Sequence, residues 1–91
     1  MFTITRQELG SGRYSYTGQG QLNGEDLTGL LLIASSKVCY SWASLTPIPH
    51  EGETRQVLSF HKSQTAAAKG NSDLRKWATG PIQVLEIGGQ S

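Results

Sequence analysis

Short runs of alternating apolar and polar residues, cut repeatedly by glycine, are what most limit the folds open to this chain. Phe2-Thr3-Ile4-Thr5, Arg13-Tyr14-Ser15-Tyr16-Thr17 and Val38-Cys39-Tyr40-Ser41-Trp42-Ala43 each alternate with a period of two. That period sends successive side chains to opposite faces of a strand. Turn residues stand between the runs: Gly10-Ser11-Gly12, Gly18-Gln19-Gly20, Asn23-Gly24 and Ser35-Ser36-Lys37. Asn-Gly is the strongest of these, because both residues tolerate the positive φ of a tight hairpin. We place a turn there and read Gly18–Gly20 as a bulge or bend.

Leu27 to Ser35 is the most apolar stretch and is flanked by turns. It reads as a central strand buried on both faces. Residues 38–43 should return beside it as an antiparallel hairpin. Leu45 to Thr54 holds Pro47 and Pro49 and reads as a loop, since proline lacks a backbone donor. Arg55 to Phe60 is the next strand. The period then changes. Ser63 can cap a helix over Ala66-Ala67-Ala68-Lys69. Gly70-Asn71 breaks it, and Asn71 or Ser72 caps a second turn with Leu74, Trp77 and Ala78 on one face. Gly80-Pro81 ends the helical stretch. Ile82 to Ile87 is the last strand, and residues 88–91 are a polar tail.

The expected class is therefore α+β. A twisted, mostly antiparallel sheet of about five to six strands carries one broken helix on a face. Ala67, Leu74 and Trp77 would pack against Leu31, Ile33, Leu58 and Phe60. A small, partly closed barrel with a helix is the alternative. The strand–helix–strand unit at the end suits a crossover onto the same sheet. At 91 residues the chain has the length of a single domain, 1–91.

Hydrophobic residues make up 36%, low for a globular chain, but the net charge is only +1 and aliphatic and aromatic residues recur throughout, which does not suit a disordered, self-repelling chain. One cysteine, Cys39, excludes an internal disulfide. No basic stretch followed by a long apolar run opens the chain, and Leu30 to Ala34 is far too short to cross a membrane. The expectation is a cytoplasmic protein with no membrane contact.

The search for chemistry returns little. Gly18-Gln19-Gly20-Gln21-Leu22-Asn23-Gly24 has one residue too many for a dinucleotide fingerprint, and no helix follows it. Cys39 has no context that lowers a thiol pKa, and mid-strand it reads as a small buried hydrophobe. Cys39, His50 and His61 lack metal-ligand spacing. Glu25-Asp26 and Glu51/Glu53 sit beside turns and read as solvated. No catalytic residue, metal or cofactor is expected, and the chain is not read as an enzyme.

Two surfaces remain. Tyr14, Tyr16, Tyr40 and Trp42 come from strands expected to be neighbours, and together could form an aromatic contact face. The competing reading puts Trp42 and one tyrosine in the core, since so few hydrophobic residues need their aromatics inside. Arg55, Lys62, Lys69, Arg75 and Lys76 oppose only Asp73 over residues 55–76, a candidate phosphate-facing stretch. The functional expectation is a small non-enzymatic binding protein. It would act by protein contact as an inhibitor or regulator of a larger partner. A nucleic-acid-binding domain using the 55–76 stretch is the alternative, and homo-oligomers are compatible with both. The size, polar strand-rich make-up and lack of paired chemistry look like small accessory proteins of phages and mobile elements, including inhibitors of bacterial defence systems. No motif carries that likeness, so no residue takes a role from it.

Overall fold

The alternation at the start of the chain builds the first sheet of a computed structural model that describes residues 2–90. Met1, and Ser91 at the end of the expected polar tail, lie outside the described residues. Residues up to Cys39, with those from Glu86 onward, make one compact unit, and Tyr40–Leu85 makes another.

In the first unit, β1 (Thr3–Gly10) and β2 (Arg13–Gln19) pair antiparallel from Thr3↔Gln19 to Gly10↔Arg13. Ser11 and Gly12 turn the chain at φ 54° and 72°, the left-handed pair that matches strand twist in a tight hairpin. Phe2, Ile4, Tyr16 and Ile87 are buried here. β3 (Gln21–Leu22) and β4 (Glu25–Asp26) close around Asn23-Gly24, at φ 54° and 80°. The hairpin thus turns where the Asn-Gly pair predicts, and Gly20 at φ 94° marks the bend before it. β5 (Leu31–Ser36) then pairs with β2. β9 (Gly88–Gln90) joins β1 in parallel through Thr5↔Gly88 and Arg6↔Gly89. The sheet order is β5-β2-β1-β9.

This order corrects the reading of Leu27–Ser35. The strand starts only at Leu31 and lies at the sheet edge, not its centre. Leu27 to Leu30 is held as a turn: the Leu27 amide donates to the Gly20 carbonyl and the Leu30 amide to that of Leu27. Asp26 Oδ1 accepts from the Thr28 amide at 3.0 Å, a side-chain mimic of a backbone turn. Local polar bonds at Asp26 and Thr28 decide the conformation here, and an apolar run by itself does not specify what covers it. Residues 38–41 belong to no strand, so the expected hairpin with 27–35 does not form.

The second unit corrects the proline-rich loop. β6 (Trp42–His50) runs through Pro47 and Pro49 and pairs with β7 (Glu53–His61), from Trp42↔His61 to His50↔Glu53. Glu51 and Gly52 turn at φ 49° and 81°, again a two-residue hairpin. In such a hairpin the pair next to the turn is hydrogen-bonded and pairs then alternate. Pro49↔Thr54 and Pro47↔Gln56 therefore fall on the positions whose amides face away from β7. The Pro47 carbonyl confirms the direction, because it accepts from the Thr79 amide at 2.9 Å. The missing donors cost the β6–β7 ladder nothing.

The helix is broken as expected. Ser63 Oγ caps α1 (Gln64–Lys69) by accepting from the Ala66 amide at 3.1 Å. Asn71 Oδ1 caps α2 (Ser72–Arg75) by accepting from Asp73 at 2.9 Å and Leu74 at 3.3 Å. α1 packs against β6 and β7, with Ala67 buried and its carbonyl accepting from Ser44 Oγ. β8 (Gln83–Glu86) lies beyond β6, in the order β7-β6-β8, so the strand–helix–strand unit does return to one sheet. The architecture is α+β and mostly antiparallel, with open sheets and no closed barrel; its strands divide among three sheets. Trp77 departs from its expected core role. α2 ends at Arg75, Trp77 lies beyond it, and its side chain is 66% exposed while Leu74 and Ala78 turn partly inward.

Candidate functional site

The strands that carry the aromatics are not hydrogen-bonded neighbours. β2 has β1 and β5 as neighbours, and β6 has β7 and β8. Tyr14 and Tyr16 thus belong to one sheet and Trp42 to another. Tyr16 is fully buried and its hydroxyl donates to the Val38 carbonyl at 2.8 Å. That bond satisfies the one polar atom of a core ring and removes Tyr16 from any exposed surface. Tyr14 is half-buried with the Arg6 guanidinium 5.8 Å from its ring centroid. Tyr40 is half-buried and tilts against Phe60 at 5.6 Å. Trp42 is half-buried on β6, opposite His61.

The basic set fares differently. Arg55 on β7, Lys62 ahead of the Ser63 cap, Lys69 ending α1, Arg75 ending α2 and Lys76 after it all lie in the second unit and are all exposed. Among the described residues, no carboxylate comes within ion-pair distance of any of the five. Trp77 follows directly. Leu9, Leu30, Leu31 and Trp77 are the large hydrophobic side chains left exposed among the described residues, at 48%, 49%, 53% and 66%. The sequence reading missed all four as surface groups. The signals for them were weak but present: Trp77 adjoins two cations and a Gly-Pro stop, and Leu30-Leu31 follows Gly29.

The titratable groups are scattered. Cys39 is exposed and outside any strand, so the expected buried strand cysteine is corrected. His50 is exposed at the end of β6, with Nε2 3.9 Å from Glu51 Oε2, a surface pair of little energetic weight. Asp26 is held below the ordinary carboxylate range by hydrogen bonds from the Thr28 side chain and backbone. Among the described residues no three His, Cys, Asp or Glu side chains group as metal ligands.

One pair has the outline of chemistry. Ser59 Oγ and His61 Nε2 lie 2.9 Å apart on the same face of β7, as a Ser-x-His spacing on a strand dictates. Burial lowers the His61 pKa below its ordinary 6.5, which favours the neutral ring a proton acceptor needs. A working nucleophile also needs a group orienting the imidazole and donors for an oxyanion.

Comparison with known protein families, with characterised proteins and with solved structures finds no match for this chain.

Proposed function

We propose that this chain is a small non-enzymatic binding protein that acts by protein contact, as an inhibitor or regulator of a larger partner. The observation that supports the reading is the pair Leu30-Leu31, where the Leu27–Leu30 turn enters edge strand β5, each about half exposed. Contiguous exposed leucines are a cost in water that an interface removes, at roughly 25 cal/mol per Å² of apolar area covered. Contact would run through side chains and not through strand addition. β5 carries two register shifts against β2, and such bulges bend an edge away from a straight ladder.

The first unit suits this role because side-chain bonds tie its turn and its edge strand. Thr28 Oγ1 accepts from the Gly20 amide at 2.9 Å, and Arg13 donates to Ser35 Oγ at 3.2 Å. A surface ordered before binding loses less entropy on binding. The test is a double substitution, Leu30→Ser with Leu31→Ser, in a tagged chain used to capture partners from a cell lysate. Both side chains are exposed, so thermal stability should change by no more than about 1 kcal/mol. A stoichiometric protein captured by the parent should be lost by the variant. Equal capture by both would reject these leucines as the contact, and no stoichiometric protein with either would reject the function.

A further inference from the structure

We infer that Trp77, with Arg75 and Lys76 beside it, is a stacking site for single-stranded nucleic acid. This goes beyond the protein-contact reading and rests on different residues in the other unit.

Trp77 is the most exposed large hydrophobic side chain among the described residues, at 66%. Its place in the chain explains why. The Trp77 amide donates to the Leu74 carbonyl at 3.0 Å, the Ala78 amide to Arg75 at 3.3 Å and the Thr79 amide to Pro47 at 2.9 Å. The backbone is therefore fixed on both sides of the indole while the ring itself stands in water. The backbone that carries the ring is thus ordered before a base stacks on it.

The surroundings decide between occupants. A tryptophan that anchors a protein interface is ringed by apolar groups that exclude water. Arg75, Lys76, Thr79 and Gly80 are all exposed and none is a large hydrophobic side chain. A lone aromatic plane among unpaired cations suits a base, which offers a flat π face, joined to a phosphate, which offers charge. Among the described residues, Arg75 and Lys76 have no carboxylate at ion-pair distance to compete with a phosphate.

The experiment uses the full chain and an oligothymidylate of about 20 nucleotides, a length that spans several stacking positions. Binding is read from quenching of tryptophan fluorescence and independently by anisotropy of a labelled oligonucleotide. Affinity should fall about 7-fold between 50 and 200 mM salt if two phosphates are neutralised, and about 50-fold if four are. Trp77→Ala should weaken binding by about 5-fold or more, from the lost stacking, and should abolish the quenching. Trp77→Phe should keep most of the affinity. Arg75→Glu with Lys76→Glu should weaken binding further and flatten the salt dependence. All these side chains are exposed, and circular dichroism checks that each variant is folded. Three results would each overturn the site: no binding at 50 mM salt, equal affinity for Trp77→Ala, or polyglutamate binding as tightly as the oligonucleotide. The last would point to an acidic protein instead.

Discussion

Replacing Gly70 with alanine should destabilise the second unit, and the backbone sets the size of the effect. Gly70 closes α1 at φ 72° and ψ −173°, and its amide donates to the carbonyls of Ala66 and Ala67. That region of backbone space is essentially restricted to glycine, and holding another residue there costs about 1–3 kcal/mol. A Cβ at this position would also lie 2.7 Å from Ile82 Cδ1. Cδ1 is the tip of a side chain and can rotate away, so the backbone term should dominate. Alanine recovers about 0.4–1 kcal/mol by narrowing the unfolded ensemble. The net loss is then about 1–2 kcal/mol, which moves a urea midpoint down by about 1–2 M for a chain this short. The assay is urea denaturation followed by far-UV circular dichroism, in the parent and in an Ile82→Val background that lacks Cδ1. Strain predicts nearly the same loss in both backgrounds, with a coupling below about 0.5 kcal/mol. Gly24→Ala is the control, at φ 80° with nothing within 4 Å of the new carbon. A Gly70→Ala midpoint within about 0.3 M of the parent would refute the reasoning, because the net loss of about 1–2 kcal/mol exceeds that shift.

Other perturbations test separate parts of the fold. Thr46 is fully buried and its Oγ1 has no hydrogen-bond partner; Thr46→Val removes a desolvated hydroxyl, so stability should rise by about 1 kcal/mol, or about 4–8 °C in Tm by calorimetry. Ser44→Ala goes the other way, since it removes the bond to the Ala67 carbonyl at a cost of about 1 kcal/mol; an unchanged Tm would mean that bond is not formed. Burial lowers the pKa of His61 from 6.5, so the unfolded chain binds the proton more readily than the folded one. Its contribution to stability is therefore complete above about pH 6.5 and is lost as pH falls below that. Urea midpoints at pH 7.5 and 5.5 should drop less in His61→Gln than in the parent; equal drops would show that another group carries the acid sensitivity.

How far the fold could be read in advance depended on whether a local signal was sufficient. The Asn23-Gly24 turn, the Ser63 cap, the Gly70-Asn71 break and the Asn71 cap are all where the sequence places them, because each is decided by bonds within a few residues. The same holds for the α+β class, since a period of two and a single helical stretch are local patterns. Pro47 and Pro49 show the limit. Proline removes a donor wherever it stands, but only the pairing of β6 shows that those donors would face away from β7. The basic residues were legible as exposed because charge is seldom buried without a partner. Tyr16 and Trp77 were not legible, since both are amphipathic rings that suit either side of a surface.

By itself, then, the sequence determined where the chain turns and where its helix is capped and broken. Tertiary structure alone decided which strand is an edge and which aromatic is covered. Leu31 and Tyr16 make the point: both lie in strands, yet one is 53% exposed and the other 0%. Alternation sets which face a side chain takes, but only the neighbouring strands, distant in sequence, determine whether that face meets protein or water.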